Sequence, residues 1–312
     1  MVAHPRPFRF GVNPHDAHDA KAWRSMARKA EDLGFSTFLV PDHLNPQFAP
    51  FTALAVAAEA TSTLRIGTQV LCNELRHPVV AAKEIATLDV LSDGRVEWGM
   101  GAGWLPNDFA AIGTEELPSV RVDRLVESID VMRALFAGDA VHHDGHHYRV
   151  DVDRAAPVPL QRPHPPLIVG AAQQRLLTYA GRVAQIVSIS PGFAARAFGP
   201  YPASITVEEN TTRQVGWIEA GAGARFADVE LSVVAAPARI TDRPEEVAEH
   251  AAPGLGITPE EVLRSVHVLA GSVEGVCETL VARRERWGIS NIVIPWRFVD
   301  QFGPVVARLA GT

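Results

Sequence analysis

Along most of this chain, short runs of β-branched and aromatic residues alternate with longer stretches whose apolar positions recur at helical spacing. That is the pattern of βαβ units around a parallel sheet. The first strand reads 8–13, followed by a helix from about 19 to 33 that stops at Gly34. A second strand, 36–40, precedes a helix over 50–60; a third, 64–71, feeds a helix that opens at Pro78 and closes near Asp93-Gly94. The fourth strand is 96–101, and a loop to Ser119 leads into a helix over 120–136 with Val122, Leu125, Ile129, Met132, Leu135 and Phe136 on one stripe.

Asp144-Gly145, between Val141 and Tyr148, predicts a type I′ hairpin turn and a small antiparallel excursion, and a proline-rich linker covers 157–166. The pattern resumes with a strand at 167–169, a helix over 173–183 and a strand at 185–189. A Gly/Pro/Ala-rich loop begins near 191, a helix lies near 207–220 and a strand at 229–235. Two short helices within 242–265 each open on a capping residue and a proline with acidic residues behind, as in Thr258-Pro259-Glu260-Glu261. A helix over 273–287, a strand at 291–295 and a closing helix complete eight strand-helix units. The expectation is an α/β fold, a (β/α)8 TIM barrel with insertions, as one domain over 1–312.

Composition narrows the function classes. With 47% hydrophobic and 21% charged residues the chain is an ordinary globular one, and a formal charge of −7 with no Lys/Arg-rich run argues against a nucleic-acid surface. Cys72 and Cys277 stand far apart in no metal-like spacing, which fits a reducing compartment. The first residues lack a charged stretch followed by an apolar one, and no apolar run has membrane-spanning length, so a cytoplasmic protein is expected.

In such barrels chemistry sits where strands end. The residues there are Asn13, Pro41-Asp42-His43, Gln69-Val70 with Cys72-Asn73, Gly101-Ala102-Gly103-Trp104, Gly170-Ala171-Ala172-Gln173, and Ser188 with Ser190. Glycines at 99, 101 and 103 either let a flat ring approach the backbone or make a tight strand exit; they do not match dinucleotide-binding spacing. Gly170 to Gln173 leads through small residues into a helix whose first N–H groups favour a phosphate, or is an ordinary βα turn. Asp42-His43 offers a carboxylate and an imidazole for proton transfer, unless Asp42 only caps the turn. His142, His143, His146 and His147 flank the hairpin, but nothing completes a ligand set at known spacing, so no metal is expected.

Taken together, these pieces make the chain resemble the luciferase-like flavin and F420 oxidoreductases over nearly its whole length. The resemblance is carried by Phe10-Gly11-Val12, Val40-Pro41-Asp42-His43, Leu64-Arg65-Ile66-Gly67-Thr68 and Arg76-His77-Pro78. It continues in Ala86-Thr87-Leu88-Asp89, Leu91-Ser92-Asp93-Gly94-Arg95, Gly99 to Trp104, Arg121 to Leu125, and Arg162 to Leu167. The branch it most resembles uses the deazaflavin F420.

The resemblance implies that Asp42 and His43 flank the deazaflavin ring as catalytic residues and that Gln69-Val70 is a non-prolyl cis peptide against it. It further implies that Ala102, Gly103 and Asn107 line ring and tail, that Gly170, Ala171, Ala172 and Gln173 receive the phosphate, and that Ser188 helps bind the cofactor. Asn13 and Trp104 would face the substrate, Trp104 as an aromatic wall or, alternatively, as core plugging the barrel mouth. Sugar-phosphate dehydrogenases of the family carry a glutamate acid where Trp104 stands, so their proton donor and substrate do not transfer. The implied activity is F420-dependent hydride transfer with a small organic substrate. The alternatives are an FMN-dependent monooxygenase served by a separate flavin reductase, or a non-catalytic flavin-binding protein. A homodimer is implied in each case.

Overall fold

The computed structural model describes residues 6–14, 19–114, 116–191 and 206–312. The eight main strands are β1 (Arg9–Asn13), β2 (Thr37–Val40), β3 (Arg65–Thr68), β4 (Val96–Gly101), β5 (Leu167–Ala171), β6 (Ile186–Ile189), β7 (Glu230–Val234) and β8 (Ile289–Pro295). All of their pairings described below are parallel, with helices between, and the fold is of the (β/α)8-barrel class.

The chain divides into two compact units. In one, containing residues 29–36 and 171–312 with the N-terminal strand, the order is β1-β8-β7-β6. In the other, containing 37–170, it is β2-β3-β4-β5, and a two-residue strand, Leu71–Cys72, adds to β4 beyond β3. The strands are buried along most of their length, as β2 with Phe38, Leu39 and Val40 shows, which is why they read as continuous apolar runs. The helix Ala20–Asp32 is amphipathic, burying Trp23, Met26, Ala27 and Ala30 at helical spacing, and Trp23 donates to the Ala53 carbonyl at 2.7 Å.

Several motif residues are structural ties. The buried Asp89 carboxylate accepts from the backbone N–H groups of Leu160 and Gln161 at 2.8 and 3.0 Å, anchoring the proline-rich linker. Arg95 donates to the carbonyls of Ala58 and Leu64 at 2.8 and 2.9 Å, locking the turn that enters β3. The capping box of Thr258 with Glu261 forms as its sequence predicts.

Four local expectations need correction. The predicted third strand, 64–71, is two pieces, because the backbone turns at Gln69-Val70 and Leu71–Cys72 pairs with β4 instead. The predicted loop to Ser119 holds the helix Pro106–Ile112. The hairpin Val141–Asp144 with Arg149–Val152 forms, but its turn spans four residues and neither Asp144 nor Gly145 has positive φ. The half-buried Glu127 carboxylate accepts from the N–H groups of His147 and Tyr148 and so shapes that turn from outside. A parallel pair, Ala238–Ile240 with Leu269–Gly271, stands apart from the main strands and has no counterpart in the predicted pattern. Part of the predicted loop, 192–205, lies outside the described residues. Among the described residues, no helix is long and apolar enough to cross a membrane.

Beside β7, His267 is buried, with Nδ1 3.3 Å from the Val234 carbonyl. Burial, reinforced by Arg283, pushes its imidazole down to about 4. The unfolded chain therefore takes up a proton below about 6.5 that the folded chain refuses. Stability is expected to fall by about 3 kcal/mol as pH drops from about 6.5 to 4, and no further below. Urea denaturation at stepped pH, compared with His267→Gln, measures this; parallel curves for parent and variant would remove His267 as the cause.

Candidate active site

Register decides which residues share an edge. Within the second unit Val40 lies opposite Thr68, Cys72 opposite Gly101 and Met100 opposite Val169, so β2, β3, β4 and β5 exit on the same side. That edge gathers Asp42, His43, Gln69, Val70, Ala102, Gly103, Trp104 and Gly170.

The glycines of β4 serve a different purpose from the one their sequence suggests. The Gln69–Val70 peptide is cis. A Cβ on Gly101 would stand 2.6 Å from Val70 Cγ2, and one on Gly170 3.2 Å from both Val70 methyls. A Cβ on Gly99 would meet the Thr68 carbonyl at 2.1 Å. These glycines make room for the protein's own Val70 and β3 backbone, not directly for a ring. Gly103 is different: at φ +71° it turns the chain out of β4, with Cys72 Sγ and the Phe109 ring on the side a Cβ would occupy.

Asp42 is only 4% exposed, and its Oδ2 accepts from Arg76 at 2.5 Å and from the Cys72 N–H at 3.1 Å. It ties the β2 exit to the segment after the cis peptide. Burial, with Asp42, Glu74 and Asp108 near by, pushes the Cys72 thiol up to about 11, so it stays protonated.

His43, at the same edge, is partly open. Its side chain is 23% exposed, and Nδ1 lies 2.7 Å from Asp108 Oδ2. Asp108 Oδ1 accepts from the Leu44 N–H at 2.9 Å. A carboxylate only accepts, so the Nδ1 facing it carries the proton and Nε2 is left to meet other molecules. Trp104, 47% exposed, stands edge-on to the imidazole with centroids 5.6 Å apart, which rules out the core-plug reading. Arg121 secures the segment, donating to the Ala102 carbonyl at 3.1 Å with its guanidinium 4.3 Å from the Phe109 ring centroid.

Asn107 is exposed beside Asp108. Sequence reasoning passed over Asp108, although Pro106 at a helix start and Gly113 at its left-handed end marked the helix that carries it.

In the other unit, β5 ends at the buried Ala171, and the half-buried Ala172 and exposed Gln173 lead into the helix Gln174–Val183, whose N-cap Gln173 makes no side-chain cap bond. The first-turn N–H groups of such a helix favour an oxyanion. The turn is held by Gln214, a buried side chain the sequence did not single out, which donates to the carbonyls of Ala172 at 3.0 Å and Ser190 at 3.1 Å. Ser190 N–H in turn donates to the Ala171 carbonyl at 2.8 Å. Ser188 and Asn13 are buried, Ser188 within β6 and Asn13 at the end of β1. Of the hairpin histidines, His142 pairs with Asp151 at 2.6 Å and His143 with Glu127 at 3.0 Å.

The chain resembles known proteins in both sequence and fold. It is 33% identical over 189 residues to an F420-dependent hydroxymycolic acid dehydrogenase of Mycobacterium tuberculosis, covering 57% of this chain and 52% of that one. The chain spans about half the length of the curated relatives it matches. The coenzyme F420 dependent tetrahydromethanopterin reductase of Methanopyrus kandleri superposes with TM-score 0.77 at 18% identity, covering 97% of this chain and all of that one. A long-chain alkane monooxygenase does so with TM-score 0.77 at 15% identity, covering 98% and 91%. The model of the luciferase-like monooxygenase family matches residues 2–274, and with a match of that extent on a (β/α)8 fold, the chain belongs to the luciferase-like monooxygenase family.

Proposed function

We propose that this chain is an F420-dependent oxidoreductase that moves a hydride between the deazaflavin and a small organic substrate. The observation that carries the reading is His43, held through Nδ1 and partly open at a strand exit beside the exposed Trp104. The relative named for F420 supports the choice of cofactor.

The residues present fit such a group. In one unit, half-buried backbone at Gln69-Val70 and Ala102-Gly103 offers a surface for a flat ring; in the other, taken by itself, the uncapped helix start after Ala172 suits a phosphate. The cofactor supplies hydride exchange when bound. His43 holds or moves a proton at Nε2, Trp104 walls the substrate, and Gly170, Ala172 and Gln173 receive the phosphate, with Gln214 holding the Ala172 carbonyl. Asp42 acts on this reading by fixing the backbone of the cis segment, and Asn107 lines the cofactor; in the other unit Ala171 and Ser188 are proposed as cofactor-binding residues and Asn13 as a substrate residue. We further propose a cytoplasmic homodimer built from a single domain over 1–312.

Titration of the purified protein with F420, read by cofactor fluorescence, tests this, with a Kd on the order of 10⁻⁶ M expected. Ala172→Glu is expected to weaken binding about tenfold by repelling the phosphate. Ala172 is the position to change because Ala171 is buried, where an acid would disturb the core. Absence of F420 binding, together with substrate-dependent oxygen consumption on reduced FMN, would overturn the reading in favour of a two-component monooxygenase.

A further inference from the structure

We infer that Asp108 is a positioning residue that holds the neutral His43 ring as its Nδ1–H tautomer, leaving an unprotonated Nε2 for the reaction; this rests on the function proposed above. Asp108 is buried, and its two oxygens divide their work: Oδ1 accepts from the Leu44 N–H at 2.9 Å and Oδ2 faces His43 Nδ1 at 2.7 Å. Leu44 immediately follows His43, so one carboxylate grips both the backbone next to the histidine and its ring. That fixes ring position and ring tautomer together.

Asp42, the carboxylate adjacent in sequence, is not placed for this role. The contacts of its Oδ2 are to Arg76 and the Cys72 N–H. The helix Pro106–Ile112 brings in Asp108 from 65 residues away. Trp104 also packs against the imidazole, with the two ring planes perpendicular.

The geometry makes Asp108→Asn unusually informative, because an amide of the same shape has one accepting and one donating end. The Leu44 N–H is a fixed backbone donor, so it retains the amide oxygen. The NH2 group then faces Nδ1, which must accept, and the neutral ring carries its proton on Nε2. Shape is conserved while the tautomer inverts.

The test is nitrogen NMR of the protein without cofactor, above the pH at which the imidazole is charged, with the His43 signals among the 12 histidines assigned by difference from His43→Gln. The parent is expected to show protonated Nδ1 and unprotonated Nε2, and Asp108→Asn the reverse. With F420 and substrate, the variant is expected to lose roughly 10–100-fold in kcat with unchanged F420 affinity. Asp108→Glu, which restores two acceptors, is expected to recover the parent tautomer. An Nε2–H ring in the parent, or the same tautomer in parent and Asp108→Asn, would overturn the inference. The NMR result does not depend on F420 binding, so its failure is separable from failure of the proposed function.

Discussion

His43→Ala is expected to lower kcat roughly 10²–10⁴-fold while leaving the Kd for F420 within a few-fold of the parent. The asymmetry follows from what the imidazole does. On the proposed function it handles a proton at Nε2, whereas affinity for the ring draws on the backbone at Gln69-Val70 and Ala102-Gly103. Truncation also leaves Asp108 Oδ2 buried without its ring partner, which is expected to cost about 1–3 kcal/mol of stability. Steady-state kinetics beside a fluorescence titration separates these effects. Equal kcat in parent and variant would remove His43 from the chemistry, and parallel losses in kcat and affinity would make it a binding residue instead.

Gly99→Ala is expected to cost about 3 kcal/mol or more, because the added methyl meets the Thr68 carbonyl at 2.1 Å, and backbone cannot step aside as a flexible side chain can. That carbonyl belongs to a strand tied to β4 at this very residue: Thr68 Oγ1 donates to the Gly99 carbonyl at 3.0 Å and receives the Gly99 N–H at 2.8 Å. A graded series should follow. Gly101→Ala, whose methyl meets the Val70 side chain at 2.6 Å, costs less than Gly99→Ala. Gly170→Ala, with contacts at 3.2 Å, costs about 1 kcal/mol or less. Urea midpoints of the three variants measure the order. Three equal small losses would mean that Val70 and β3 are free to shift and that the glycines are spare.

Gly99, Gly101 and Gly103 stood out as positions without side chains, and that much was legible. Their reason was not, since two of them accommodate a segment about 30 residues earlier in the chain. Asp42 likewise stood out beside His43, but adjacency in sequence proved a poor guide to pairing. Neighbours on an exiting strand point different ways, and the carboxylate that reaches the imidazole arrives on another element. Gln214 was invisible for a related reason: a glutamine within a helical pattern carries no local sign that its amide will hold two carbonyls of a distant turn.

What the sequence determined by itself was the succession of strands and helices, the class of fold and the family. Helix starts are written locally, by Pro50, Pro78 and the Thr258 capping box, and buried parallel strands by their apolar runs. The exits of those strands could therefore be named as the place for chemistry. Only the tertiary structure decided which side chains there are committed and which are open: Asp42 to Arg76, Asp108 to His43, and the β4 glycines to Val70 and Thr68. Such choices depend on hydrogen-bond and contact distances of a few ångströms between residues dozens of positions apart, and local sequence pattern contains no measure of that separation.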